Sequence, residues 1–365
     1  LPGARVSAVS PVRSAPITTT TDPRGYFRLS HLPVGLVMVT ISLEGFQTVE
    51  IPATIVRLGR TAPLGQIRLD AEAYELPDLV VSGTAVPIDT YSASIGDDLL
   101  RREFEDLPVE RDYKELAKLL PEVTTSYYGD DVSFAGATGL DNRYFVDGMD
   151  VTDPFRGVTS MNLPYNFIQA VEVRSGGYEA EFRSSLGGVL NVITPRGHDE
   201  VHGSVFGFYA NQRLSGEPRQ GAIEPAKGDF SAYEVGLTLS GPLAKGRAWY
   251  SLAYNPSYTS EEVEIRGTGL HEDVAKRHSF AGKFLWQPNP DLSMQLAVAG
   301  DPETRDSVGE TWYRAHAGAP EVFENADPYL GRMKSGGLSG LLRTDWMASD
   351  RLDLRLDLSY LTQTS

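Results

Sequence analysis

A strict alternation near the end of the chain constrains its fold more than any other feature. Leu352, Leu354, Leu356, Leu358 and Tyr360 share one parity, while Asp353, Arg355 and Asp357 occupy the other. Successive side chains of a β-strand point to opposite faces, so this segment forms a strand with one apolar and one charged face. The same period recurs in Tyr233, Val235, Leu237 and Leu239, and again in Ala248, Tyr250, Leu252 and Tyr254. It returns in Phe280, Gly282, Phe284 and Trp286, and in Leu292, Met294, Leu296 and Val298. Seven strands are predicted after residue 200: 201–212, 231–240, 247–256, 277–287, 292–300, 335–346 and 351–361.

A soluble sandwich also presents such faces, and the connections separate the two readings. Short turns at 241–246, 287–291 and 347–350 alternate with long polar segments near 258–276 and 301–334. Short turns at one rim and long loops at the other are the signature of an outer-membrane barrel. Tyr250, Trp286, Trp346 and Tyr360 at strand ends fit interfacial aromatic girdles. An open sheet of seven strands would expose unpaired backbone groups at both edges, at several kcal/mol each in lipid. Further strands are therefore expected in the parent protein, toward the roughly 22 of the larger outer-membrane barrels.

Composition narrows the function classes. The 365 residues suffice for two or three domains, and no run approaches the ~18 apolar residues of a membrane helix. A formal charge of −16 repels phosphate backbones and argues against nucleic acid as a partner. The chain has no cysteine, which removes disulfides, thiolate metal sites and thiol nucleophiles. It begins at Leu1 without a signal peptide, so a removed leader or a longer mature end is expected.

Upstream of the barrel, residues 1–72 read as a small β-sandwich with strands at 4–9, 25–30, 36–43 and 66–69. Turn signals separate them, among them Asp22-Pro23-Arg24-Gly25 and Glu44-Gly45. The phrases Asp22 to Leu29, Leu32-Pro33-Val34-Gly35 and Glu44-Gly45-Phe46 resemble the carboxypeptidase regulatory-like domain. That resemblance implies a non-catalytic sandwich whose first strand precedes Leu1. From 73 to 94 follows a linker holding one short apolar run: Asp78, Leu79, Val80, Val81, Ser82 and Gly83. In this context it resembles a TonB box. A short extended segment can add to a partner's sheet edge through backbone bonds with little sequence demand.

Residues 95–198 read as an α+β unit. Ser94 with Asp97 predicts a capped helix before Leu99, Leu100 and Phe104. Tyr113, Leu116, Ala117 and Leu120 predict a second helix, which Pro121 stops. Asn142 to Phe155 then reads as strand, Asp147-Gly148 turn, strand. This phrase, with Ile168 to Phe182 and Gly187 to Gly197, resembles the plug domain of TonB-dependent receptors in order and spacing. Within it the resemblance singles out Asp147, Gly148, Asp153, Gly176, Gly177, Gly187, Gly188 and Asn191. One departure stands out: Ser133-Phe134-Ala135-Gly136 occupies the place of an Ile-Arg-Gly type phrase, so its basic residue is missing.

The sequence carries no catalytic signature. His271 and His278 are seven apart, not the four of a metalloprotease helix. Asp147, Asp150 and Asp153 lack EF-hand spacing. No P-loop or nucleophile elbow occurs. No enzyme, cofactor or metal is expected. The fold class is mainly β: a sandwich, an α+β plug and the first strands (199–365) of a transmembrane antiparallel barrel. The resemblance implies import across the outer membrane, powered by a TonB-type inner-membrane protein. A sandwich ahead of the plug resembles the SusC-like and Oar-like branches, implying an oligomeric glycan, peptide or protein as cargo and a SusD-like lipoprotein as a possible lid. The alternative is a structural or adhesive surface protein that keeps barrel and plug but transports nothing.

Overall fold

The computed structural model describes residues 1–10, 13–33, 35–57, 61–71, 95–107, 112–127, 132–134, 136–154, 157–178, 182, 185–215, 229–265, 269–308, 330–349 and 352–364. The first unit is a sheet ordered β2-β1-β3-β4, from β1 (Arg5–Ser10), β2 (Arg13–Thr20), β3 (Gly35–Ser42) and β4 (Val49–Val56). Two of these match expectation. The strands expected at 25–30 and 66–69 join no ladder. Asp22 explains the first: its carboxylate accepts the backbone N–H of both Arg24 and Tyr26 at 2.8 Å, closing a turn. The chain then crosses the sheet face, packing Phe27, Leu29 and Leu32 against a core that includes Val6, Val37, Val39 and Ile41. Leu64, Ile67 and Leu69 cover the same core. Their alternation reports burial, and a half-exposed extended segment needs no ladder because water satisfies its backbone. β4 escaped notice because Pro52 interrupts it. Proline is tolerated there because β4 is an edge strand, bulged where residues 52 and 53 oppose Met38 alone.

The second unit is a sheet ordered β5-β10-β11-β8-β9. Its strands are β5 (Ile95–Leu100), β8 (Arg143–Val146), β9 (Met149–Asp150), β10 (Ala170–Gly176) and β11 (Val189–Ile193). A small hairpin of β6 (Val123–Thr125) and β7 (Val132–Phe134) packs beside them. The helix expected after Ser94 is instead β5, paired antiparallel with β10 from Ile95 to Leu100. Tertiary pairing overrides a capping signal, and only α1 (Arg101–Phe104) remains helical, with Glu103 accepting the Leu100 N–H at 2.7 Å. α2 (Tyr113–Ala117) forms as expected, capped by Asp112, and buries Tyr113, Leu116, Ala117 and Leu120.

The third unit is an antiparallel wall. It comprises β12 (His202–Asn211), β13 (Phe230–Ala244), β14 (Ala248–Ile265), β15 (Gly269–Asn289), β16 (Leu292–Gly300), β17 (Glu303–Val308), β18 (Leu330–Ser349) and β19 (Leu352–Thr364). β16 and β17 both lie between β15 and β18, so they form one wall strand interrupted at Asp301 and Pro302. Seven strands result, as expected. Two expected loops do not. The polar stretch 258–276 continues as the β14–β15 hairpin, paired out to Ile265 and Gly269, and β17 with the start of β18 takes up part of 301–334. Polarity was misleading there: where both faces of a strand meet water, apolar alternation vanishes while the ladder continues.

The two faces of the wall differ as the alternation requires. Leu252, Phe284, Trp286, Leu296, Val298 and Trp346 point outward and are exposed, while Ser251, Ala253, Asn255, Ala281, Lys283, Ser293 and Gln295 are buried inward. The α+β unit sits against that inner face: wall residues Ala253, Ala281, Ala299 and Leu341 belong to the same core cluster as Phe104, Tyr144 and Leu190.

This arrangement predicts opposite outcomes for two leucines. Leu296→Arg costs ~2–4 kcal/mol on refolding into lipid vesicles, whereas Leu296→Ala, at a half-exposed side chain, costs clearly less. Leu190→Ala, in the core, costs ~2–5 kcal/mol. Urea titration in vesicles checks all three.

Candidate functional site: the inner unit against the strand wall

The Asp147-Gly148 turn is the point where the inner unit grips the wall. Both residues have positive φ, 50° and 79°, the type I′ geometry that joins β8 to β9 in two residues. Gly148 is required on two counts, since a Cβ there would also lie 3.2 Å from Nη2 of Arg343. Asp147 is buried. Its carboxylate accepts the Thr194 backbone N–H at 3.0 Å and the Thr194 hydroxyl at 2.6 Å. Lys283 of β15 reaches it with Nζ 2.8 Å from Oδ2 and donates at 2.9 Å to the Thr194 carbonyl. Arg343 of β18 donates to the Asp147 carbonyl at 2.8 Å while gripping Asp357 of β19 through two 2.8 Å bonds. Behind the turn, Asn191 accepts the Gly148 N–H at 3.1 Å and donates to Glu172 at 2.9 Å.

The structure therefore brings Asp147, Gly148 and Asn191 together, and it places the other singled-out residues elsewhere. Gly187 and Gly188 allow close packing: a Cβ would fall 2.4 Å from Asn142 Oδ1 and 2.3 Å from Phe134 Cγ. Buried Asp153 organises the 151–160 loop through backbone bonds with Val158 and Gly157. Gly176 ends β10 opposite Ile95, and Gly177 follows it with φ 61°. The segment containing Asp78, Leu79, Val80, Val81, Ser82 and Gly83 lies outside the described residues. Sequence reasoning missed Lys283, Arg343 and Glu172. The first two carried a usable signal, being cations at inward parity on strands whose other face is apolar.

Two sets of residues considered as metal ligands are otherwise engaged. His271 and His278 have opposite parity on β15 and so face opposite sides of the wall. Asp147 binds Lys283, whereas Asp150 lies 3.7 Å from Arg143 and accepts the Thr152 N–H.

Two further contacts tie the inner unit to the wall. Asn255 donates to Asn166 at 3.1 Å, and Asp301, at the β16–β17 break, accepts the Asn162 N–H at 2.8 Å. At the short-turn rim the first unit docks. Arg28 pairs with Asp353, His31 Nδ1 lies 2.7 Å from the Pro290 carbonyl, and Arg196 donates to the Leu32 carbonyl at 2.8 Å. Arg57 pairs with Asp98 of β5, which Arg174 holds from the other side at 2.6 Å. A cavity of about 620 Å³ lies between the three units, lined in part by Arg28, Arg57, Arg196, Lys283 and Arg343. The arrangement is mechanical in character: a folded unit locked to a wall by buried charges.

Residues 1–70 match the carboxypeptidase regulatory-like domain family. The TonB-dependent transporter Oar of Myxococcus xanthus is 27% identical over 380 residues, covering 93% of this chain and 34% of that protein. The probable TonB-dependent siderophore receptor PirA of Acinetobacter baumannii is 25% identical over 251 residues, covering 62% of this chain and 32% of the relative. The chain thus spans about a third of the length of these curated relatives. Among solved structures, the A. baumannii siderophore receptor PirA aligns with a TM-score of 0.58 at 22% identity, over 73% of this chain and 40% of that one. The outer membrane transporter YddB from Escherichia coli aligns at 0.57 with 14% identity, over 73% of this chain and 38% of the other.

Lys283→Met should leave the Asp147 carboxylate buried without its cation, at about 3–5 kcal/mol, and Asp147→Asn in the same chain should recover much of that loss. Protease protection of residues 95–195 in urea reads both. A second outcome concerns pH. Burial, opposed by the Pro290 carbonyl, holds the His31 pKa below its ordinary value. The docked state therefore favours neutral imidazole, so docking is strongest above about pH 6.5 and weakens as pH falls below it. Hydrogen exchange at 26–32 should rise between pH 7.5 and 5.5, and His31→Gln should remove the dependence.

Proposed function

We propose a role that follows from one premise: this chain belongs to the TonB-dependent receptors of the Gram-negative outer membrane. The role is active import of a ligand through the plugged barrel, powered by a TonB-type protein of the inner membrane. The observation that carries it is the seated plug. A folded unit gripped at a buried turn by Lys283 and Arg343, with Asn255 and Asp301 adding polar ties, would fill the lumen of a closed barrel, yet few polar contacts need to break for it to move. A surface protein serving only adhesion has no need of so localised a lock.

Energy coupling is assigned to residues 78–83, which follow the sandwich and precede β5. Strand addition requires a row of free backbone N–H groups, and proline removes one donor while fixing φ. For cargo, the sandwich ahead of the plug, by its resemblance to the SusC-like and Oar-like branches, favours an oligomeric glycan, peptide or protein, with a SusD-like lipoprotein as a possible lid. A ferric chelate is the second reading, supported by the siderophore receptors among the relatives and structural neighbours.

The test uses the purified full-length receptor in vesicles and the C-terminal domain of the energising protein as probe. Val80→Pro should weaken capture by tenfold or more, about 1.4 kcal/mol, and Val80→Ala by less than about threefold, because main-chain bonds carry the pairing. Capture unaffected by Val80→Pro makes the segment a plain linker.

A further inference from the structure

The cavity of about 620 Å³ between the three units carries a surplus of donors that the import reading leaves unused. Among the described residues six cations line it: Arg28 and Arg57 from the first unit, Arg196 from the inner unit, and Lys283, Arg343 and Arg355 from the wall. Three carboxylates share that lining, those of Asp147, Asp345 and Asp353. Asp98 and Asp357 hold Arg57 and Arg343 from behind, but Arg174 shares Asp98, so the positive excess survives. On a protein of net charge −16 this is a local reversal of sign, enclosed where charges are screened less than at the surface.

The donors converge on one side chain of the wall. Gln295 lines the cavity, is only 7% exposed, and its Nε2 has no hydrogen-bond partner among the described residues. A buried amide left unpaired is costly to keep, so it calls for an explanation. In the ladder Gln295 stands directly between Leu285 of β15 and Arg343 of β18. Arg343 commits three of its five N–H donors to Asp147 and Asp357, and Lys283 two of its three to Asp147 and Thr194. Two residues nearer the short-turn rim, Arg355 holds Asp345 through Nε, which leaves both of its Nη groups for another acceptor.

Unused N–H groups beside fixed cations match a partner that only accepts and carries more than one charge. Planar carboxylates fit best, because a guanidinium fork takes them side on, as Arg343 already takes Asp357 through two 2.8 Å bonds. Leu29, Leu32 and Ile193 on the same lining suit a carbon skeleton, and the volume is that of a small-molecule site. The geometry points to a ligand site on the short-turn side of the inner unit, taking a small organic anion with several carboxylates. Gln295, Lys283, Arg343 and Arg355 donate to it from the wall, and Arg28 and Arg57 face it from the first unit. A ligand held by both units favours the docked arrangement over the undocked one by the factor 1 + [L]/Kd. The site rests on the packing of the three units and is independent of transport.

The test titrates the full-length receptor in detergent micelles with butanetetracarboxylate, its uncharged tetraamide, or inorganic tripolyphosphate, by isothermal calorimetry. The tetracarboxylate should bind, the tetraamide should not, and tripolyphosphate should bind at least about tenfold more weakly. Gln295→Leu should weaken tetracarboxylate binding by about tenfold or more, since it removes a donor to a charged acceptor. The same change should leave thermal stability undiminished, because the donor it removes is unpaired in the free receptor. Gln295→Glu should weaken binding further by setting a like charge against the ligand. Hydrogen exchange at 26–32 should slow roughly tenfold at a ligand concentration about ten times Kd, and Gln295→Leu should lose that slowing at the same concentration. Undiminished binding by a folded Gln295→Leu receptor overturns the proposal, as does equal binding of tripolyphosphate or of the tetraamide. So does the absence of tetracarboxylate binding up to about 10 mM.

Discussion

Everything in this structure depends on the rule that a backbone N–H or C=O in hydrocarbon must find a partner within the protein. Long antiparallel ladders meet it, and they impose the rest. On the import reading a wall strand shows one face to acyl chains and one to the lumen; Leu296 is exposed, and its sequence neighbour Gln295 is buried on the inner face. The lumen face, being polar and large, has no apolar core of its own to bury. The α+β unit supplies what that face lacks: partners for Lys283, Asn255 and Arg343, and a surface for the small side chains of Ala253, Ala281 and Ala299.

That arrangement explains why the grip is ionic. Removing water from Lys283 and Asp147 is costly, and their mutual attraction repays it only while the turn is seated against the wall. The pair therefore adds little net stability but strongly penalises any seating in which one charge loses the other. Arg343 extends the same logic outward, tying the turn's carbonyl to Asp357 on the neighbouring strand. Across the cavity that Lys283 and Arg343 also line, Arg57, Asp98 and Arg174 link the first unit to the edge strand β5.

Much of this was legible from residue order. The wall strands, the Asp147-Gly148 hairpin and α2 follow from period and turn chemistry, which are local. Failures came where a distant partner decided the outcome. Ser94 and Asp97 look like a helix start, but β10 recruits 95–100 into a sheet. Residues 25–30 alternate like a strand, but Asp22 turns them onto a sheet face instead. Pro52 hid an edge strand, and the polar hairpin beyond Tyr258 looked like loop because water on both sides erases the pattern. The Lys283–Asp147 pair joins residues 136 positions apart, and only the parity of Lys283 on its strand hinted at it.

The central claim is that one face of this wall meets lipid and the other meets the plug, and the tryptophans report on it directly. Trp286 and Trp346 point outward, while Trp249 points in, buried with its indole N–H 2.7 Å from Asp199. Receptors retaining a single tryptophan, with the others changed to phenylalanine, can be reconstituted into vesicles of brominated lipid and followed by fluorescence. Quenching of Trp286 and Trp346 with Trp249 left bright is the result this structure requires. Equal quenching of all three, or quenching of Trp249 alone, contradicts it.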